Sequence, residues 1–154
     1  MLRHPRTLAV TGTEHLPVLA GKLDGYYVLA AGLAWHGEPC PVLVFCFGSP
    51  RREQAARRTL AATREAAGLR IATAALDPRT ASPAGPAWLP LHGTGGAVRL
   101  IGLERAVPDP WQDYRQERAS ERREAADREQ ALRRLDDDDD GDTAWAATGE
   151  AGTW

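Results

Sequence analysis

The residues best placed by type and spacing to do chemistry are basic. Arg51, Arg52, Arg57 and Arg58 lie within seven or so positions of one another in "SPRREQAARRTL". Ser49 is a good N-cap and Pro50 suits the first helical position, so a helix is expected to start there. Arginines at a helix N-terminus, where the macrodipole also favours negative charge, suit contacts to phosphates. A solvated helix face would carry the same pattern. Lys22, the one lysine among nineteen basic residues, is a secondary phosphate contact. The competing chemistry is hydrolytic: a Mg²⁺-dependent nuclease would have to draw on Glu14, Asp24 and Lys22. Such a centre needs clustered carboxylates to hold the ion and orient water. The single carboxylate and lysine around the first strand fall short of that, and no catalytic residue is assigned.

Other motifs carry less. "HGTGG" from His92 to Gly96 is glycine-rich, but a strand rather than a helix is expected after it, so it reads as a hairpin turn and not a phosphate loop. Ser49 stands between a strand and a helix, as in a nucleophile elbow, yet "FGSPRR" departs from G-x-S-x-G and a cap alone accounts for the serine. Cys40 and Cys46 flank an apolar run with no histidine at ligand spacing, which points to free thiols rather than a structural zinc. No metal and no cofactor is expected.

The net charge of −2 conceals an asymmetry. Residues 1–110 hold twelve basic and eight acidic residues, whereas residues 111–154 hold seven arginines and thirteen acids. The basic excess therefore belongs to the expected fold and the acidic excess to the C-terminal part. No apolar run approaches the roughly 20 residues of a membrane span. The N-terminal "MLRHPRTLAV" lacks a signal-peptide core. A cytoplasmic protein without a membrane partner is expected.

The elements that would position these residues form an α/β domain over residues 1–108. "RTLAV" reads as a strand, with Thr13 as the cap of a following helix. Leu16, Leu19, Leu23, Tyr26 and Ala30 give that helix one apolar face, and a strand through "YYVLAAGLAW" is its rival. "VLVFCF" from Val42 to Phe47 is continuously apolar and reads as a strand buried on both faces. A helix of about seventeen residues up to Gly68, then "LRIATAAL", completes a βαβ unit with parallel strands. "AWLPL" and "AVRLIGL" follow as short strands, making a small mixed sheet. Residues 109–135 read as an exposed charged helix capped by Asp109 and laced with i,i+4 pairs, among them Glu129 with Arg133. Residues 136–154 read as a disordered acidic tail in which Trp145 and Trp154 could contact a protein partner.

Taken in order, "TEHLPVLAGKLDGYY", "PCPVLVFCFGSPRREQAARRTL", "LRIATAALD", "GPAWLPL" and "VRLIGL" resemble the C-terminal half of the replication-relaxation family, over residues 8 to 105. The matching positions are Thr13 and Glu14, Lys22 and Tyr26, Ser49, Arg51 and Arg52, and Gly85, Pro86, Trp88, Pro90 and Leu91. The resemblance implies a restriction-endonuclease-like core and a plasmid or integrative-element protein of DNA replication, relaxation and mobilisation. Where the family's first strand looks acidic, this chain has Ala9, Val10 and Thr11. The family's N-terminal winged helix has no counterpart here. The expected role is therefore non-catalytic, assisting replication or transfer through weak DNA-phosphate contacts or a replication or transfer protein. The alternatives are the nuclease above and a protein-interaction module acting through the acidic tail.

Overall fold

The computed structural model describes residues 7–11, 15–77, 82–93 and 95–142, with side chains described for all of these but 7–11 and 136–142. The chain divides into two units, residues 1–115 and 116–154. In order, the elements of the first are β1 (Thr7–Thr11), α1 (Leu16–Trp35), β2 (Val42–Phe47), α2 (Pro50–Ala61), a 3₁₀ turn (Arg64–Gly68) and β3 (Arg70–Ala75). Then come β4 (Pro86–Pro90), β5 (Val98–Arg99), a second 3₁₀ turn (Leu100–Gly102) and α3 (Leu103–Ala106). The last helix, α4 (Gln112–Asp142), begins in the first unit and makes up the described part of the second.

The strands form a mixed sheet in the order β1-β2-β3-β4-β5. β1, β2 and β3 are parallel, with Val42 opposite both Thr7 and Arg70. β4 runs antiparallel to β3, and β5 antiparallel to β4. Side chains alternate across a strand, so the apolar run of β2 serves both faces of the sheet. Leu43, Phe45 and Phe47 pack with Leu19 and Leu23 of α1 and Leu60 of α2. Val42 and Val44 face the other way, into a cluster with Ala72, Ala74, Trp88, Leu103 and Val107. The expected α/β class, mixed sheet and βαβ unit are all present.

Local boundaries differ from expectation for identifiable reasons. α1 continues through "YYVLAAGLAW" to Trp35, so the rival strand does not form. His15 stands at its N-cap without a side-chain bond, and Thr13 lies outside the described residues. Leu19, Leu23, Ala30 and Ala34 are its buried positions, while Val18, Val28, Leu29 and Trp35 remain exposed. α2 stops at Ala61 rather than running to Gly68. Thr59 and Thr63 each donate their hydroxyl to the carbonyl four residues back, which weakens a helix from within, and Thr63 is already extended. β5 is two residues long, because from Leu100 the chain turns helical and lowers Leu103 and Val107 onto the second face of the sheet.

In α4 the expected cap holds: Asp109 Oδ1 accepts from the Trp111 backbone N–H at 3.0 Å, and its Oδ2 lies 2.8 Å from Arg115 Nη1. The helix extends beyond residue 135, through the aspartate run to Asp142. Arg133 and Glu129 form the expected pair at 2.6 Å, whereas Arg128 turns its Nε to the Glu124 carbonyl at 3.2 Å. Trp145 and Trp154 lie outside the described residues.

Arg70 is buried at the first position of β3. It donates to the Cys40 carbonyl (3.0 Å), to the Glu104 carbonyl (2.5 Å) and twice to the Val107 carbonyl (3.0 and 2.9 Å). These acceptors belong to the loop before β2 and to the end of α3, so one side chain ties three segments together. Arg70→Met should therefore cost roughly 3–5 kcal/mol, since it leaves the Cys40, Glu104 and Val107 carbonyls without the donors that the buried guanidinium supplies. Thermal unfolding would register this as a fall of about 10 °C or more. An unchanged melting temperature would show that the clamp contributes nothing.

Beside it, the Cys40 thiol is buried and reaches the Pro41 carbonyl at 3.6 Å. Burial pushes its pKa above the ordinary 9.0, aided by the charge of Asp109 and opposed by Arg70 and Arg115. The unfolded chain thus ionises this thiol before the folded one does, and stability falls as pH rises above about 9. The stability difference between the wild type and Cys40→Ala should shrink over that alkaline range in urea titrations. A difference independent of pH would rule out the shift.

Candidate functional site

The phosphate-contact candidates sit mainly on α2, whose N-terminus follows the carboxyl end of β2. That edge is where open α/β sheets commonly receive ligands. Ser49 Oγ accepts the Arg52 backbone N–H at 3.4 Å, so the serine is occupied as a helix cap, and Pro50 follows at the first helical position. Arg51 and Arg58 are exposed, and at a spacing of seven they share one outward face with the exposed Gln54. Arg52 is half-buried beside them.

Arg57 belongs elsewhere. Its Nη1 donates to Thr73 Oγ1 at 3.0 Å and to the Leu89 carbonyl at 2.9 Å, and its Nη2 donates to the Pro90 carbonyl at 2.8 Å. Its Nε lies 3.8 Å from Glu53 Oε1. Thr73, on β3, donates its hydroxyl to the same carboxylate oxygen. Glu53, Arg57 and Thr73 thus make a polar knot between α2, β3 and β4, and the guanidinium is turned to the sheet instead of outward. Arg57 is removed from the phosphate-contact set on this ground.

The knot changes the electrostatics of the helix. Glu53 is the sole acid in "PRREQAARRTLA", and it is buried against the sheet with Arg57 beside it. The outward side of α2 keeps the exposed Arg51 and Arg58, with Arg52 half-buried beside them and the helix's one acid on the other side.

Lys22 is exposed on α1, on a different element from the arginines. Of the nuclease candidates, Asp24 is exposed on α1 and Glu14 lies outside the described residues. Among the described residues, no three His, Cys, Asp or Glu side chains converge as metal ligands would. His15, His36 and His92 are exposed, and His92 Nε2 lies 3.2 Å from the Ala66 carbonyl. Gly93, in the glycine-rich turn, has φ +124°, a conformation that only glycine adopts readily.

No family model, characterised protein or solved structure gives a significant match to the chain.

Three features were not legible beforehand. The buried Arg70 looks in sequence like any strand-edge arginine. The inward turn of Arg57 depends on carbonyls 32 and 33 residues away. Tyr27 and Trp111, far apart in sequence, meet with ring centroids 5.6 Å apart. Only the alternation of small apolar residues with Thr73 in β3 hinted at a polar group placed to meet α2.

Arg57→Ala should destabilise the fold by about 2–3 kcal/mol, because it leaves the Leu89 and Pro90 carbonyls and the Glu53 carboxylate short of donors. Arg51→Ala and Arg58→Ala should each stay within about 0.5 kcal/mol of the wild type. Urea unfolding of the three variants separates the two classes, and equal effects at positions 57 and 58 would contradict the assignment.

Proposed function

We propose that this chain is a non-catalytic, cytoplasmic protein of replication-relaxation type, from a plasmid or mobile element, that assists DNA replication or transfer through weak phosphate contacts. The observation that carries this reading is the sorting of charge on α2. Its one acid is drawn into the fold while Arg51 and Arg58 stay exposed and Arg52 half-buried beside them, next to a helix N-terminus whose dipole also favours anions. Three arginines give a modest electrostatic footprint. Affinity in the range of non-specific DNA binding, roughly 10⁻⁴–10⁻⁶ M at physiological salt, is what such a surface supplies. The order of the matching segments, from the Thr13–Glu14 turn to "GPAWLPL", supports the replication-relaxation assignment, and the absence of acids at Ala9, Val10 and Thr11 supports a role without catalysis. A replication or transfer protein could engage the same surface.

The test is binding to labelled duplex and single-stranded DNA over a range of salt, with and without Mg²⁺. We expect binding without cleavage, with a log–log salt slope of about −2 to −3 on duplex DNA. Arg51→Ala combined with Arg58→Ala should weaken binding and make the slope shallower by about 2. Unchanged affinity in the double variant would remove this site. Mg²⁺-dependent nicking of supercoiled plasmid would overturn the non-catalytic reading.

A further inference from the structure

A cleft of about 590 Å³ opens in the first unit between α1, the 3₁₀ turn at Arg64–Gly68 and the segment Pro110–Trp111. That volume lies within the usual range of small-ligand sites. Its aromatic wall is Tyr27 and Trp111, tilted at 56°. Trp111 is held in place by its indole N–H, which donates to the Gly68 carbonyl at 2.8 Å, and Tyr114 meets its ring edge-on at 6.0 Å. Tyr27 lies so close to Gly68 that any Cβ there would collide with its ring. The rings are therefore positioned before any ligand arrives, which lowers the entropic cost of binding.

The charged lining is mixed: Asp24 and Glu65 are acidic and Arg64 is basic. A simple cation would meet Arg64, and a simple anion would meet two carboxylates. A ligand that matches the aromatics, one carboxylate and the arginine needs a flat ring, adjacent N–H donors and an anionic group.

We propose that this cleft binds an unpaired guanine nucleotide of a single strand. Guanine presents its ring N–H and exocyclic amino group side by side, so one carboxylate of Asp24 or Glu65 can accept both, in the bidentate manner that gives carboxylates their selectivity. Adenine and cytosine set an acceptor beside their amino group, which would face a carboxylate oxygen unfavourably. Thymine offers one N–H between two carbonyls. The base stacks on the aromatic wall, an interaction worth roughly 1–3 kcal/mol per base, and Arg64 takes the nucleotide's phosphate. A paired base hides this edge in the duplex, so the strand must be single. The inference rests on the nucleic-acid reading above and adds to it a base preference located away from Arg51 and Arg58.

The experiment uses the full chain and two labelled nine-residue oligothymidylates, one carrying a single central guanine, together with deoxyguanosine monophosphate alone. Tryptophan fluorescence and label anisotropy report binding. The guanine-bearing strand should bind about tenfold more tightly. Asp24→Asn combined with Glu65→Gln should abolish that preference, with oligothymidylate binding and melting temperature unchanged. Arg51→Ala with Arg58→Ala should weaken both strands by the same factor. Equal binding of the two strands would overturn the cleft proposal and leave the phosphate reading standing. Saturable binding of the mononucleotide, lost in the carboxylate variant, with neither strand bound, would overturn both the single-strand proposal and the phosphate reading. Failure of all three probes would end both.

Discussion

A guanidinium taken out of water must recover its hydrogen bonds from the protein, and the position of Arg70 at the head of β3 makes that requirement organise the fold. Its donors reach Cys40 on one side and Glu104 and Val107 on the other. The loop entering β2 and the end of α3 are thereby held to the central strand. Val107 is drawn down with its carbonyl, and with Leu103 it covers the face of the sheet that α1 and α2 leave uncovered. Without that cover Val42, Val44, Ala72 and Ala74 would lie open on a parallel pair of strands, which such sheets do not tolerate. Packing on one face therefore depends on a polar contact at the end of a strand.

A second polar knot works between α2 and the sheet. Pro86 and Pro90 limit what β4 can contribute as a donor, and its pairing with β3 is confined to Ala72 with Pro90 and Thr73 with Leu89. Arg57 supplies donors to the Leu89 and Pro90 carbonyls from the helix above. Glu53 stands at the positive end of the α2 dipole, a favourable place for a carboxylate, and accepts from Thr73. A short two-pair ladder is thus reinforced by side chains from another layer.

The parts of the fold legible in the sequence were those governed by local physics. The apolar run of β2, the Ser49–Pro50 start of α2 and the Asp109 cap each follow from period, sterics or a nearby hydrogen bond. Boundaries set by competition were harder: α2 ends where two threonine hydroxyls take backbone carbonyls, and β5 yields to a turn that buries Leu103. Of the candidate site, Arg51 and Arg58 were legible as exposed helix residues, but the inward direction of Arg57 was not, since its acceptors come from another strand. The cleft was least legible of all, because Trp111 meets Gly68 across 43 positions of chain. Local patterns carry no information about such a meeting.

Arg57 and Arg58 are neighbours in sequence and chemically identical, yet a helix rotates them about 100° apart. That rotation gives one to the sheet and the other to solvent. Because the inward arginine sits beside Glu53, the single acid of α2, the outward side of the helix gains positive character through an interaction needed for stability. Structure and surface charge are thus set by one event. A substitution at Glu53 would act on both at once, adding uncompensated positive charge inside while removing the partner that steadies Arg57. Arg51 and Arg58, by contrast, are exposed and make no contact to the core, so substitutions there change the surface charge of α2 without changing its packing.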